Sequence, residues 1–368
     1  MKIAVVNGLR GLAICGVVSF HSFFNDFHYG MAKSHLPIIL QTFFSGGWLG
    51  VNLFFMLSGL VLYLPYAHEK RSIVRFGDVI DFYKRRFNRL FPLYWFICIV
   101  FLVFIADFRL DDPMFFGWFG SLATAIFLFH PDTFLPKPVY WVLWSIGIEI
   151  WFSALFPLIV LLLNKFGWRR VLITTIAMSF SIRLIGYMTL YGAPQGKILN
   201  SISDSALGRL DEFMLGMLLA WLIARPHISG SYFSATRALF GAFGVAFAMF
   251  CWMAWFRLEL PGWSAAMYAW CLDFGMFLLI GYLANGTSVL RRIIEVWPLQ
   301  LLGMMCYSIY LWHGIVLKRF GASFNVGVFE YGAYLAVVLL LSWFTYRYIE
   351  FGKEPELRNL LPAMGKES

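Results

Sequence analysis

The sequence predicts an all-α fold, a polytopic membrane helix bundle of about ten transmembrane helices plus one short non-crossing helix. Three observations carry this. Of 368 residues, 60% are hydrophobic and 13% charged, whereas soluble domains run at about 45–50% and about 25%. The mean hydropathy is +0.73. The apolar residues also gather into eleven runs, most of them near the roughly 20 residues that cross a bilayer. A soluble interior lacks the volume to hide so much apolar surface, so lipid must act as solvent for most of it.

The runs cover 3–24, 43–64, 87–106, 115–130, 139–163, 171–190, 206–224, 238–256, 264–284, 297–317 and 328–349. The fourth is the shortest and is flanked by Pro113 and Pro131. Cytoplasmic loops of membrane proteins carry an excess of Lys and Arg. With an inside N-terminus and 115–130 held outside, 20 of the 29 basic residues fall inside and 7 outside. If 115–130 crosses, the split becomes 13 to 13. The first arrangement is therefore preferred: ten crossings, with both termini cytoplasmic. Residues 1–352 read as one membrane domain and 353–368 as a short cytoplasmic tail. The first run starts almost at Met1 and carries Arg10, so it reads as a retained span rather than a cleaved signal.

The net charge of +9 comes with no basic, aromatic-interleaved soluble face, so no nucleic-acid partner is expected. All five cysteines lie inside apolar runs without metal or disulfide spacing, which predicts reduced, buried thiols and no metal. No oligomeric state is specified.

Ionisable groups inside spans are costly and face a partner or a cavity. Arg10 and His21 are eleven steps apart in the first run, about three helical turns, so they share a face roughly 16 Å apart along the axis. A snorkelling Arg and a His bonded between helices would explain the same residues. Arg86 and Arg89 are neighbours at the cytoplasmic start of the third span. A pair of guanidiniums suits phosphate oxygens, and equally suits lipid headgroups. In the second run, Ser58 and the glycines allow close helix packing or form a ligand wall, and Asn52 needs a polar partner. Glu149, one turn after Ser145, is a carboxylate about ten residues into a span. It must be protonated, paired or water-lining. Arg209 and Glu212 are spaced to pair. Tyr310 and His313 are neighbours near the outer end of the tenth crossing, where an aromatic belt is also expected.

The order of these signals is more specific than any one of them. It runs Arg10-x10-His21, then Gly50-Val-Asn-Leu-Phe-Phe-Met-Leu-Ser-Gly59, then Arg86-x-x-Arg89 before Pro92. Trp144-Ser-x3-Glu149, Arg209-x-Asp-Glu-Phe-x2-Gly216, Tyr307-Ser-x-Tyr-Leu-Trp-His313 and Tyr346-Arg-Tyr-Ile-Glu350 follow. From about residue 7 to about residue 352 the chain resembles the acyltransferase-3 family of integral-membrane acyltransferases. The resemblance implies transfer of an acyl group, usually acetyl, from cytoplasmic acyl-CoA to a hydroxyl of a cell-surface carbohydrate such as O-antigen or exopolysaccharide, in a bacterial inner membrane. Acyl-CoA is then a donor substrate, and no permanently bound cofactor is expected. Asn52 stands where members often carry Asp, and Ile-Trp-Phe-Ser after Glu149 departs from the more usual polar-aromatic continuation.

On this reading Arg10, Arg86 and Arg89, with Ser58, hold the donor at the cytoplasmic mouth. His21 is the base and Glu149 orients it; Ser145, Arg209, Glu212 and His313 face the acceptor. Direct attack and an acyl-His intermediate both fit. Two other classes remain open: a multi-span secondary transporter, and acyl transfer to a secondary metabolite. A transporter would be expected to show Gly/Pro-broken spans paired between two halves, a pattern not evident here.

Overall fold

A computed structural model describes residues 3–22, 46–105, 114, 119, 142–189, 202–258, 262–286, 288–320 and 328–350. Thirteen α-helices make up nearly all of this. They are α1 (Ile3–Phe20), α2 (Leu49–Ala67), α3 (Phe76–Phe104), α4 (Leu143–Phe166), α5 (Trp168–Thr189), α6 (Leu210–Ile223) and α7 (Pro226–Tyr232). They continue with α8 (Ala235–Leu258), α9 (Gly262–Asn285), α10 (Val289–Ile294), α11 (Trp297–Met304), α12 (Cys306–Phe320) and α13 (Val328–Thr345). No strand occurs among the described residues. This is the all-α, polytopic arrangement that hydropathy predicts, because a lipid-facing backbone must satisfy its own hydrogen bonds.

A helix stands at each of the ten expected crossings. Five helical stretches are long and apolar enough to span by themselves, and two bent pairs bring the number to seven. Ala4–Phe20 and Ala235–Cys251 are shorter apolar helices. The expected non-crossing helix at 115–130 and the tail at 353–368 lie outside the described residues, apart from position 119.

Two helices differ from their hydropathy boundaries for local reasons. α3 begins eleven residues before the apolar run at 87. Its basic first turns are polar but capped: the Asp78 carboxylate accepts from the backbone N–H groups of Val74 (2.9 Å) and Arg75 (2.8 Å), satisfying donors that a helix start leaves orphaned. The expected span 297–317 is broken: α11 and α12 meet at 75°. Pro298 sits at the start of α11, where its missing N–H costs nothing. α6 and α7 meet at 116°, with Pro226 opening α7.

Small residues set how closely the helices pack. A Cβ on Gly216 of α6 would lie 1.9 Å from the Met56 carbonyl oxygen of α2, and one on Gly59 would lie 2.1 Å from that of Phe213. The two backbones therefore touch through reciprocal glycines, as expected where dispersion drives helix association. Alongside them Phe152 stacks on Phe213 at 3.9 Å between ring centroids, and Phe55 packs on the same ring. This core fixes α2, α4 and α6 together and leaves room among α1, α2, α3, α4 and α12.

Candidate active site

That room is a cavity of about 720 Å³, within the roughly 300–1,000 Å³ usual for ligand sites. Arg10 reaches it from α1, Ser58 from α2, Arg85, Arg86 and Arg89 from α3, and Ser145 and Glu149 from α4. Tyr307 and Tyr310 of α12 and Arg71 of the α2–α3 connection add to the polar lining, with Asn7, Tyr66 and Tyr346. Five guanidiniums thus face one carboxylate.

The arginines divide into two kinds. Arg86 donates through Nη2 to Glu149 Oε1 (2.9 Å) and through Nε to Ser153 Oγ (3.0 Å). Ser153 in turn donates to the Glu149 carbonyl one turn back (2.9 Å). Ser58 Oγ also donates to Glu149 Oε1, at 3.4 Å. Arg89 pairs with Glu350 (3.1 Å), which sits in the wide turn Tyr346–Glu350 after α13 and accepts from Ser308 Oγ (3.0 Å). By contrast Arg10, Arg71 and Arg85 form no ion pair among the described residues. A mostly apolar pocket with three arginines outside any ion pair among the described residues favours an anion, and low-dielectric walls strengthen that preference.

His21 follows the last residue of α1 and does not line this cavity. Its Nδ1 is hydrogen-bonded at 3.0 Å to Nε2 of His313, and the two rings stack with centroids 5.1 Å apart. His313 Nδ1 donates to the Tyr310 carbonyl at 2.6 Å. The Tyr310 hydroxyl reaches back to Ser145 and to the Val142 carbonyl (3.2 Å). Ser145 and Tyr310 line the cavity, and Tyr310 links it to the histidines through its two ends, its hydroxyl meeting Ser145 and its backbone carbonyl meeting His313.

Two sequence expectations need correcting. Glu149, expected to orient His21, bonds Arg86 and Ser58 and makes no contact with His21 among the described residues. A guanidinium inside a helix bundle needs a counter-charge more than a neutral imidazole does, and α4 faces α3 at that level. His313, expected beside the acceptor, is fully buried and is the neighbour of His21 instead.

Arg209 and Glu212 pair as their spacing predicts (2.7 Å), but they sit in a buried network away from the cavity. Arg183 at its centre donates to Asp273 (2.9 Å), Asp211 (2.7 Å), Glu212 (2.8 Å) and the Gly208 carbonyl (2.7 Å). Asp204 pairs with Arg209, and Asn52 donates to Glu212 Oε1 at 3.0 Å. These contacts hold α2, α5, α6 and α9 together and supply the partner that Asn52 required. Sequence reasoning missed Ser153 and the Arg183–Asp273 pair, and gave Tyr310 and Glu350 a place in the motifs without a role. For Arg183 and Asp273 the signal existed: two opposite charges inside separate spans must find partners.

An acyltransferase-domain family model matches residues 3–347. O-acetyltransferase OatA of Staphylococcus aureus is 22% identical over 361 residues, covering 94% of this chain and 56% of its own length. The peptidoglycan O-acetyltransferase OatA of Listeria monocytogenes is 25% identical, covering 84% and 48%. BcsY of Komagataeibacter xylinus, provisionally designated a membrane-bound transacylase, is 27% identical, covering 94% and 81%. The chain spans about half the length of the OatA relatives. No solved structure matches it. With nearly its whole length matched, the chain belongs to the acyltransferase-domain family.

Proposed function

We propose that this member of the acyltransferase-domain family is a membrane-embedded O-acyltransferase. It moves an acyl group, acetyl above all, from cytoplasmic acyl-CoA to a hydroxyl of a cell-surface carbohydrate. The enzyme sits in a bacterial inner membrane with both termini cytoplasmic. The observation that carries the donor assignment is the set of three cavity arginines without carboxylate partners among the described residues, beside two more that are held by Glu149 and Glu350. Coenzyme A offers an anionic nucleotide head for such a set and a thin arm for the apolar walls. Guanidinium forks bind phosphate oxygens bidentately. The names of the OatA relatives, one of them a peptidoglycan enzyme, support the carbohydrate acceptor.

The chemistry needs a base, because a sugar hydroxyl is a poor nucleophile at neutral pH. His21 takes that role, since an imidazole titrates near the working range. The acceptor oxygen attacks the thioester carbonyl and its proton passes to His21. The C–O bond forms, the C–S bond breaks, and the proton leaves on the coenzyme A thiol. Ser145 and Tyr310, whose side chains line the cavity, would supply hydroxyl donors to the carbonyl oxygen as it gains charge.

The test is equilibrium binding of acetyl-CoA to the purified protein in nanodiscs, with dephospho-CoA and free acetate as competitors. Saturable acetyl-CoA binding, weakened in Arg10→Ala and Arg85→Ala, is expected. Absence of binding, or binding indifferent to both substitutions, overturns the donor assignment.

A further inference from the structure

We propose that His313 is the positioning residue for His21, accepting the Nδ1 proton and so holding the reactive lone pair on Nε2. This rests on the reading that His21 is the base. The argument starts from a carbonyl, which only accepts hydrogen bonds. His313 Nδ1 lies 2.6 Å from the Tyr310 carbonyl oxygen, so that nitrogen carries a proton. In the neutral ring Nε2 is then the acceptor. His21 Nδ1, 3.0 Å away, must be the donor. A neutral His21 protonated at Nδ1 has its lone pair on Nε2, the nitrogen farther from its own backbone.

The arrangement is held at several points. His313 is fully buried, and its own backbone carbonyl accepts from the Tyr334 hydroxyl at 3.3 Å. Tyr310, whose carbonyl sets the His313 tautomer, is tied through its hydroxyl to Ser145 and Val142. Tyr310, Tyr334, Ser145 and Val142 thus hold His313 in place, and His313 in turn sets which nitrogen of His21, just past the end of α1, is basic. When His21 takes the acceptor proton on Nε2, its Nδ1–H stays bonded to His313 Nε2. The imidazolium forms without any partner having to move, which is the benefit of a preorganised neighbour.

The test compares His313→Leu, which has no acceptor, with His313→Gln, whose amide oxygen can take the place of Nε2. Acetyl transfer and acetyl-CoA binding are measured for both, with His21→Ala as reference. A wrong tautomer in a Ser-His-Asp site costs about 10⁴ in kcat. A neutral acceptor supports the imidazolium less than a carboxylate, so His313→Leu is expected to lose about 10²–10³ in kcat. Its donor affinity should be unchanged, and His313→Gln should recover to within about tenfold of wild type. Full kcat in His313→Leu overturns the positioning role while His21→Ala is inactive. Equal loss in both substitutions, with donor binding intact, overturns it too, because the ring itself would then be required. An active His21→Ala instead removes the underlying reading. Nitrogen NMR on wild-type protein carrying labelled histidine needs no substitution at 313. The unprotonated nitrogen of His21 must be Nε2; finding it at Nδ1 refutes the assignment.

Discussion

Removing the Arg183 guanidinium tests whether the buried charge network is a structural brace. Arg183 is fully buried and makes four short bonds, to Asp273, Asp211, Glu212 and the Gly208 carbonyl. Arg183→Met keeps much of the volume and removes the charge. The network's four carboxylates, Asp204, Asp211, Glu212 and Asp273, are then left to Arg209 alone. Taking one partner from a buried ion pair costs about 3–5 kcal/mol, because the other charge stays desolvated. At 1.36 kcal/mol per decade this is roughly two to four orders of magnitude in the folded-to-unfolded ratio. The assay is SDS- or heat-induced unfolding in mixed micelles, following tryptophan fluorescence. Arg183→Lys should fall between wild type and Arg183→Met, and adding Asp273→Asn to Arg183→Met should recover part of the loss. A wild-type midpoint in Arg183→Met would refute the brace.

Further outcomes follow from the cavity and the helix contacts. Glu149→Gln should strengthen acetyl-CoA binding several-fold, since it removes the one carboxylate that faces five guanidiniums and frees Arg86, and it should leave kcat at saturation nearly intact; a collapse in kcat with unchanged affinity would return Glu149 to His21. Arg10→Gln should lower donor affinity and flatten its dependence on ionic strength, and an unaltered salt profile in a titration series would count against Arg10 as a phosphate contact. Gly216→Val should prevent stable folding, because its Cβ meets the Met56 carbonyl at 1.9 Å; monodisperse, folded Gly216→Val protein by size exclusion and circular dichroism would contradict the packing.

The parts of this molecule that were legible in the sequence are those with local causes. Hydropathy placed a helix at each of the ten expected crossings, five to seven of them long and apolar enough to span, because apolar length is a property of consecutive residues. Arg209–Glu212 was legible because three residues make a helical turn. The start of α3 was not, since hydropathy ignores a polar segment that is helical because Asp78 caps it. The partners of Glu149, His21 and Arg183 were hidden for another reason: they lie 63, 292 and 90 residues away along the chain. Which helix faces which is decided by packing such as Gly59 and Gly216, and no periodicity within one helix carries that information. Charge conservation offered a partial route. An intramembrane Arg183 and Asp273 required partners of opposite sign, and so did Glu149 opposite the Arg86 pair.

The central claim is that His21, next to His313 beside an arginine-lined cavity, drives acyl transfer onto a surface carbohydrate. Mass analysis of cell-surface glycans from cells expressing wild type or His21→Ala tests it most directly. The account predicts an added acyl ester, acetyl in the first instance, with wild type only, although both proteins reach the membrane in equal amounts. The same ester in cells carrying His21→Ala, or no ester with wild type in a host that makes the acceptor, would contradict it.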